Sequence, residues 1–395
     1  MTVSLWNDTL SQDKHIHKEC DVVIIGGGIA GLSSAYWLLK ENEGLNICLV
    51  EKGEIGSGAT GRNAGFITCG SVEHFNRLID KHGIDEALEI WKFSETNLAL
   101  LKEEIINGNE EELLFEHKGS FSLASTETEF NELKKSYELM QGLGINVEVL
   151  DQSEIKLRLG ADEFVGGIKY SDDASIHPIQ LIKNIKNKII KDKHFELCEN
   201  HEVFEITNDG EDKLVKTNKA YIKAPIVIMA TNGYSPLLHD FFKDKIFPTR
   251  GQIMATAPVA RFMEGPCYAN FVLDYFRQLP TGEMVIGGFR QLQKDAEIGY
   301  SDETSDEIQD ALESFLRKHI PAIKDAEITH RWSGIMGFSV DGQPMVGALP
   351  TDNQIFFLGG FTAHGLGLAF HGGKCLADSL FGREIPSFIS AKRFN

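Results

Sequence analysis

The sequence predicts an α/β fold with two lobes, the first built on a parallel sheet, and three observations near the N-terminus support this. The β-branched run Val22–Ile25 is typical of a buried parallel strand. Gly26, Gly28 and Gly31 follow at the G-x-G-x-x-G spacing and lead into apolar residues at helical spacing. A second apolar strand ends at the acidic residue Glu51. This order of strand, glycine turn, helix, strand and acid indicates a Rossmann-type dinucleotide-binding unit.

Each glycine of this turn has a distinct physical task. Gly26 permits the tight turn, Gly28 lets the backbone approach a pyrophosphate, and Gly31 lets helix and strand pack closely. The start of the helix offers free N–H groups and the positive end of its dipole to the phosphates. Glu51, after the strand Ile47–Val50, suits a ribose 2′-hydroxyl and opposes a 2′-phosphate, which favours FAD or NAD over NADP.

Composition restricts the partners of the protein. The 395 residues are too many for one core and predict two lobes. The net charge of -19 argues against nucleic acid and membranes as partners. Six scattered cysteines without a C-x-x-C pair indicate free thiols in a reducing compartment, and no pattern indicates a metal site. Without a leader pattern or a long apolar run, we expect a cytoplasmic monomer or homodimer.

A second glycine-rich loop, Gly56–Gly65, follows the ribose acid and contains one cation, Arg62. Its small residues allow the backbone to wrap a phosphate or lie against a flat ring. Further along, we predict a hairpin around Gly119 that ends with the strand Ser120–Ala124. An antiparallel β-meander of four short strands is expected after it: Phe195–Cys198, Val203–Ile206, Lys213–Thr217 and Tyr221–Lys223.

The remaining elements complete both lobes. The run from Ile226 to Gly233 predicts another buried parallel strand whose small, polar end suits a cofactor. Long amphipathic strands are expected over 247–258, 271–278, 283–291 and 327–338. A last strand leads into the glycine turn Gly359–Gly367 and a closing helix, and no acid follows to bind a second ribose. Three glycine-rich segments that can lie against one cofactor favour FAD, and the flavin itself performs the redox chemistry.

These motifs together match a known family. The segments Asp21–Gly31, Gly56–Gly65, Asp274–Arg277, Trp332–Gly334, Asp341–Pro344 and Gly359–Gly367 resemble those of the D-amino-acid-oxidase-like FAD oxidoreductases. This group includes glycine oxidase, sarcosine oxidase and gamma-glutamylputrescine oxidase, and the resemblance is strongest to the last. It implies a small amine or amino acid as substrate, hydride transfer from its C–N centre to flavin N5, imine hydrolysis, and reoxidation by oxygen to peroxide.

The sequence departs from the family pattern in three respects. Ile335 and Met336 stand where relatives have an arginine that grips the substrate carboxylate, which argues against a simple α-amino acid. Gly334 and Arg62 occupy places where relatives attach the flavin covalently, so we expect noncovalent FAD. Val285 stands where a lysine helps to activate oxygen in sarcosine oxidase. Two alternatives therefore stay open: a dehydrogenase that passes electrons to a quinone or carrier protein, and a non-catalytic FAD-binding subunit.

The resemblance also divides the chain. We predict that residues 1–80, 172–236 and 340–395 form the FAD-binding domain, a Rossmann-type unit with a β-meander. Residues 81–171 and 237–339 are predicted to form an α+β substrate domain on a mixed sheet.

Candidate site residues follow from the motifs. For substrate chemistry we expect His364, Tyr275, Arg277 and Trp332, with Tyr275 and Arg277 on one face of a strand and Arg277 favouring the neutral amine. For FAD binding we expect residues of the three glycine-rich segments, the ribose acid and two strand ends. These are Gly26, Gly28, Ile29, Ala30, Gly31, Glu51, Lys52, Ser57, Ala59, Thr60, Arg62, Asn63, Ala64, Gly65, Val203, Ala230, Thr231, Gly359, Gly360, His364, Gly365 and Leu366.

Overall fold

The computed structural model describes residues 16–70, 72–270 and 273–394. The first fifteen residues of the predicted FAD-binding domain therefore lie outside the described residues. The strands, in chain order, are β1 Ile16–Glu19, β2 Val22–Ile25, β3 Ile47–Val50, β4 Phe66–Ile67, β5 Ser120–Ala124, β6 Val147–Asp151, β7 Gly166–Tyr170, β8 Ala174–Ser175, β9 Phe195–Cys198, β10 Val203–Asp209, β11 Asp212–Thr217, β12 Ala220–Ala224, β13 Ile226–Met229, β14 Ile246–Thr256, β15 Cys267–Ala269, β16 Asp274–Gln278, β17 Met284–Gly287, β18 Ile328–Ser339, β19 Met345–Leu349 and β20 Asp352–Gly359.

The α-helices of the described residues are α1 Ile29–Glu41, α2 Val72–His82, α3 Ile84–Leu101, α4 Glu127–Gly142, α5 Gln152–Leu159, α6 Pro178–Ile189, α7 Asp306–His319 and α8 Gly365–Leu380. Two of these helices begin with a full side-chain cap. Thr126 and Asp151 each form a capping box, at the starts of α4 and α5. Within the described residues, every helix is too short or too polar to cross a bilayer.

A six-stranded sheet with the order β19-β20-β13-β2-β3-β9 forms the centre of the first lobe. Its strands are parallel except for β19, which pairs antiparallel with β20. The four residues of β2 and of β3 are all buried, as continuous apolar runs of a parallel sheet should be. Helices α1 and α8 pack against each other. This arrangement confirms the α/β fold class.

The predicted four-stranded meander is wrong in one member. Phe195–Cys198 pairs parallel with β3 at the edge of the six-stranded sheet, because it follows the crossover helix α6. The meander itself consists of β10, β11 and β12, and β1 adds to it in parallel register with β12.

The second lobe contains an eight-stranded sheet with the order β18-β14-β17-β16-β15-β5-β7-β6. It is mixed, as predicted, since β15 and β5 run parallel while the other neighbours are antiparallel. The predicted hairpin around Gly119 is wrong: β5 pairs with β7 and β15, and Glu116 instead forms a bridge with Ser175. The positive φ of Gly119, +77°, makes the bend between these two pairings.

The domain boundaries stay a prediction. The packing of α3 bears on these boundaries, because α3 lies in the segment 81–171 that was predicted to belong to the substrate domain. Helix α3 packs against α8, and its Trp91 and Phe93 belong to the same apolar core as Leu366 and Phe370. The core of the first lobe therefore extends into residues between 81 and 171.

Candidate functional site

A cavity of about 1630 Å³ lies between the two large sheets. Ile25, Val50 and Ala230, at the carboxyl ends of parallel strands, line one side, and Tyr275 and Ile335 of the mixed sheet line the other. Ligands of open α/β sheets bind at this edge of the strands. The volume exceeds the range of about 300–1000 Å³ for ordinary ligand pockets, so it can hold a dinucleotide together with a substrate.

The first glycine turn shapes one end of the cavity. Gly26 has a φ of +114°, and a Cβ added there would lie 2.6 Å from the carbonyl oxygen of Ala230. A Cβ on Gly31 would lie 1.9 Å from the carbonyl oxygen of Gly26. Both positions therefore exclude a side chain. Gly28 precedes α1 and lines the cavity, so the first N–H groups of α1 lie at its wall.

Two backbone N–H groups hold the carboxylate of Glu51. Gly27 donates to Oε2 at 2.7 Å, and Gly53 donates to Oε1 at 2.9 Å. Strand β9 holds its backbone, because the N–H of Glu51 donates to the carbonyl oxygen of Cys198 at 3.0 Å. Glu51 lines the cavity and is thus placed to accept from a ribose hydroxyl.

The second glycine-rich loop is linked to the first and to the mixed sheet. The Ile29 N–H donates to Thr60 Oγ1 at 3.0 Å, which connects the loop to α1. Arg62 donates from Nε to the Ser57 carbonyl at 3.0 Å and from Nη1 to the Ser333 carbonyl at 2.8 Å. Two nitrogen atoms of the guanidinium therefore donate to carbonyl oxygens of the protein.

Most of the predicted FAD-binding residues line the cavity. The predicted residues that do so are Gly26, Gly28, Ile29, Ala30, Glu51, Lys52, Ser57, Ala59, Thr60, Arg62, Asn63, Ala64, Val203, Ala230, Thr231, His364, Gly365 and Leu366. Four other predicted glycines lie behind this wall: Gly31, Gly65, Gly359 and Gly360.

The structure separates the four residues that were predicted for substrate chemistry. Tyr275 and His364 line the cavity, whereas Arg277 and Trp332 are absent from the lining formed by the described residues. The Tyr275 hydroxyl lies over Gly287, where an added Cβ would be 2.4 Å from it. Burial raises the pKa of Tyr275 to about 12, so its hydroxyl keeps its proton at neutral pH.

Arg277 supports the cavity from behind. Its side chain is only 2% exposed, and it donates to the carbonyl oxygens of Gly65 and Ile176 at 3.1 Å each. Burial lowers its pKa to about 10, and its Nε is without a hydrogen-bond partner among the described residues. Since the Gly65 carbonyl is in the second glycine-rich loop, Arg277 holds that loop in place.

Trp332 has a similar supporting contact. Its indole N–H donates to the carbonyl oxygen of Arg62 at 3.1 Å, and a Cβ on the nearby Gly334 would lie 2.9 Å from Arg62 Cβ. Strand β18 thus lies directly against the second glycine-rich loop.

Two histidine rings meet at the other glycine turn. The centroids of His364 and His74 are 4.9 Å apart, and both residues line the cavity. Burial lowers the pKa of His364 to about 4 and that of His74 to about 3, with the neighbouring His364 a further cause for His74. Both rings are therefore neutral at pH 7.

Arg290, which was not predicted, lines the cavity near Tyr275. Its guanidinium lies 4.5 Å from the centre of the Phe338 ring, and no carboxylate of the described residues forms an ion pair with it. Burial lowers its pKa. The sequence pattern placed Arg290 inside a long strand over 283–291, whereas β17 ends at Gly287 and a turn with Phe289 at a φ of +56° follows. The Gly287-Gly288 pair was the available signal of that turn.

The fold and site together define a protein that holds a dinucleotide between a Rossmann-type sheet and a second, mixed sheet. Residues 21–379 match the DAO family, described as FAD dependent oxidoreductase, and the chain belongs to this family.

Its relatives extend over nearly the full chain. Probable oxidoreductase OrdL of Haemophilus influenzae is 25% identical, with 95% of this chain and 85% of that protein covered. Gamma-glutamylputrescine oxidoreductase of Escherichia coli is also 25% identical, with 92% and 84% covered. The crystal structure of glycine oxidase from Geobacillus kaustophilus superposes with a TM-score of 0.80 at 22% identity, covering 94% of this chain and 96% of that one. The crystal structure of L-proline dehydrogenase from P. horikoshii superposes with a TM-score of 0.79 at 23% identity, covering 96% of this chain and 97% of that one.

The protein is thus a FAD-dependent oxidoreductase, and its residues fit the cofactor. Glu51 and the start of α1 suit a ribose and a pyrophosphate at one end. A Cβ at Gly28 would lie 2.9 Å from Thr60 Oγ1, so the wall there admits only backbone. The start of α8, with Gly365 and Leu366, lies along the same cavity and presents a second helix N-terminus.

Proposed function

We propose that the protein oxidises a C–N bond in a small amine or amino acid that also carries an anionic group such as a carboxylate. Bound FAD supplies the acceptor for the hydride. Noncovalent binding is part of the proposal, because Gly334 and Arg62 offer no nucleophile and the described lining contains no cysteine.

The observation that carries the proposal is the guanidinium of Arg290. It lies at the wall of the cavity and forms no ion pair with a carboxylate among the described residues, and burial has already removed part of its hydration. A guanidinium in this state gains most from a planar anion that accepts two parallel hydrogen bonds. Ile335 and Met336, on β18, have no side chain that can bind a substrate carboxylate, and Arg290 binds it instead.

The surroundings of Arg290 favour the neutral form of a bound amine. Tyr275 stays protonated, and the rings of His364 and His74 stay neutral at pH 7. The cation of Arg290 and the apolar wall with Ile335 both lower the pKa of an ammonium group nearby. A neutral amine is the form that can release a hydride from its α-carbon. The Tyr275 hydroxyl and the ring nitrogens of His364 are available to orient its polar groups.

Oxygen is the proposed electron acceptor, and a carrier or quinone is the second candidate. The observation that favours the second candidate is Val285, which is 6% exposed and brings no cation to the cavity wall. The six cysteines are all free thiols, which supports a reducing compartment, and we infer the cytoplasm.

The test is anaerobic mixing of the FAD-loaded protein with matched pairs of amines. Each pair consists of an amine with a free carboxylate and the same amine with that carboxylate as its amide. We expect the flavin absorbance to bleach with the anionic member of one pair and far more slowly with the amide. Equal bleaching by both members would overturn the anionic substrate, and no bleaching by any amine would favour a non-catalytic FAD subunit. Admission of air then separates fast reoxidation by oxygen from the dehydrogenase alternative.

A further inference from the structure

Two buried cysteines meet beneath the ribose end of the cavity. Cys48 on β3 is 2% exposed and Cys198 on β9 is 5% exposed, and their Sγ atoms are 3.8 Å apart. The strands run parallel, with Cys48 opposite Glu196 and Val50 opposite Cys198. Because side chains alternate along a strand, both thiols lie on the same face of the sheet. The pair is thus in sulfur–sulfur contact without being joined.

A lysine from a third strand completes this cluster. The Nζ of Lys18, on β1, lies 3.3 Å from Cys198 Sγ and also contacts the carboxylate of Glu196. The Cys48 thiol and the Lys18 ammonium lower the pKa of Cys198, against the opposing effect of burial. Cys48 shifts the other way and keeps its proton. One thiolate beside one thiol is the arrangement found in reactive dithiols.

The cluster has the donor atoms of a metal site, but a charge already occupies that position. Cys48 Sγ, Cys198 Sγ and a Glu196 oxygen lie within 4.8 Å of one another. The Lys18 ammonium contacts two of these three donors, so a metal ion would have to displace it. Thiol chemistry therefore fits the cluster better than metal binding.

The cluster is linked directly to the FAD site. The carbonyl oxygen of Cys198 accepts the Glu51 N–H at 3.0 Å, and the Glu51 carbonyl accepts the His201 N–H at 2.8 Å. Glu51 also follows Cys48 by three residues along β3 and its end. Any change in the relative position of β3 and β9 at the two sulfurs is thus transmitted to the backbone of the ribose-binding acid.

We propose that Cys48 and Cys198 form a modification site, a dithiol that hydrogen peroxide converts to a disulfide, and that this disulfide weakens FAD binding through Glu51. The proposal depends on the FAD site and not on the substrate.

The reaction balances in two steps. The Cys198 thiolate attacks one peroxide oxygen, the O–O bond breaks, and the departing oxygen leaves as water after taking up a proton, with a sulfenic acid on Cys198. The Cys48 thiol then attacks that sulfur, the S–O bond breaks, and the oxygen leaves as a second water with the Cys48 proton. Two thiols lose two electrons and one peroxide gains them. The sulfurs close from contact distance to about 2.0 Å, which pulls on both strands.

The experiment treats the full-length, FAD-loaded protein with hydrogen peroxide under non-reducing conditions. Peptide mass spectrometry should find Cys48 linked to Cys198, and a thiol reductant should reverse the link. We expect FAD to dissociate about tenfold more readily from the oxidised protein, as judged by recovery of free flavin fluorescence, since one hydrogen-bonded carboxylate is disturbed. Cys198→Ser should abolish both effects. Cys375→Ser, which removes a buried thiol on α8, should leave both unchanged.

The results that would overturn the proposal are specific. Peroxide treatment that leaves both residues as thiols, or that oxidises Cys198 to a sulfinic acid without a link, would exclude the dithiol. A disulfide that leaves FAD release unchanged would exclude the coupling to Glu51. Zinc ions that bind tightly to the reduced wild type but not to Cys198→Ser, and that prevent the disulfide in the wild type, would assign the cluster to metal instead.

Discussion

The carboxylate of Asp274 accepts the backbone N–H of Phe289 at 2.7 Å, and this bond sets the turn from which Arg290 enters the cavity. Asp274 is fully buried at the start of β16, and its second oxygen accepts from Asn270. The turn has no room for change, because a Cβ on Gly288 would lie 2.3 Å from Asp274 Oδ1. Asp274, the first residue of β16, thus positions the proposed substrate anchor.

Asp274→Ala should raise the KM for an anionic substrate by about tenfold, because the Phe289 N–H loses its acceptor and the Arg290 turn loosens. Asp274→Asn keeps an acceptor oxygen at this place and should stay close to the wild-type KM. Steady-state kinetics with matched FAD content measure the difference. Equal KM values for the alanine and asparagine variants would show that the bond does not position Arg290.

The pH dependence of stability should report the ionisation of Asp274. Burial raises its pKa to about 6. Since the folded pKa lies above the unfolded value, the stabilising contribution is complete below about pH 4 and is lost as the pH rises through 6. The free energy of unfolding of the wild type should therefore fall relative to that of Asp274→Asn between pH 4.5 and pH 7. Urea unfolding of both proteins at these two pH values checks the sign, and a difference that moves the other way would refute it.

Arg290→Gln should raise the KM for the anionic substrate by about 10- to 100-fold, because a charge-assisted bond to the anion is lost. Arg290→Lys should recover part of the loss, since it restores the charge without the bidentate geometry. Arg261→Gln is the matched control, because Arg261 pairs with Glu116 away from the cavity lining. If Arg290→Gln and Arg261→Gln behave alike, Arg290 does not contact the substrate.

Gly31→Ala should lower both FAD retention and the free energy of unfolding. The new Cβ would lie 1.9 Å from the carbonyl oxygen of Gly26, so the glycine turn must move away from α1. Gly142→Ala is the control, since a Cβ there meets nothing within 4 Å. Flavin absorbance per protein and thermal unfolding measure the two effects. A Gly31→Ala protein that retains its flavin and its melting temperature would contradict the close packing.

Trp332→Phe should cost about 1 kcal/mol of stability and leave the KM unchanged. The variant loses the indole N–H that donates to Arg62, but the ring contributes no surface to the described cavity lining. Denaturant unfolding and steady-state kinetics together separate this supporting role from the predicted place beside the substrate. A large rise in KM at unchanged stability would return Trp332 to the substrate site.

Local sequence patterns predicted the glycine turn, the strands Val22–Ile25 and Ile47–Val50, and the acid Glu51, because each depends on neighbouring residues alone. Tyr275 and Arg277 are two residues apart on β16, so strand alternation puts them on the same face of that strand. Alternation cannot predict that the cavity ends before Arg277. The loop that covers this arginine is about 210 residues away along the chain.

Two of the missed features depend on partners that are distant in sequence. Phe195–Cys198 is too short for its pattern to distinguish a meander strand from an edge strand, and its pairing with β3 decided the outcome. Arg290 leaves the sheet because Asp274 and Gly288 form a turn there. No periodicity within 283–291 reports such a bond.

The strand order of the first sheet has a consequence for synthesis of the chain on the ribosome. Strand β13 pairs with β2 on one side and with β20, which ends at Gly359, on the other. Until the ribosome has passed that residue, β13 presents an open apolar edge, and the wall beside Gly365 does not exist. The nascent chain thus carries an aggregation-prone edge from the synthesis of β13 until that of β20, and it acquires its cofactor only near the end.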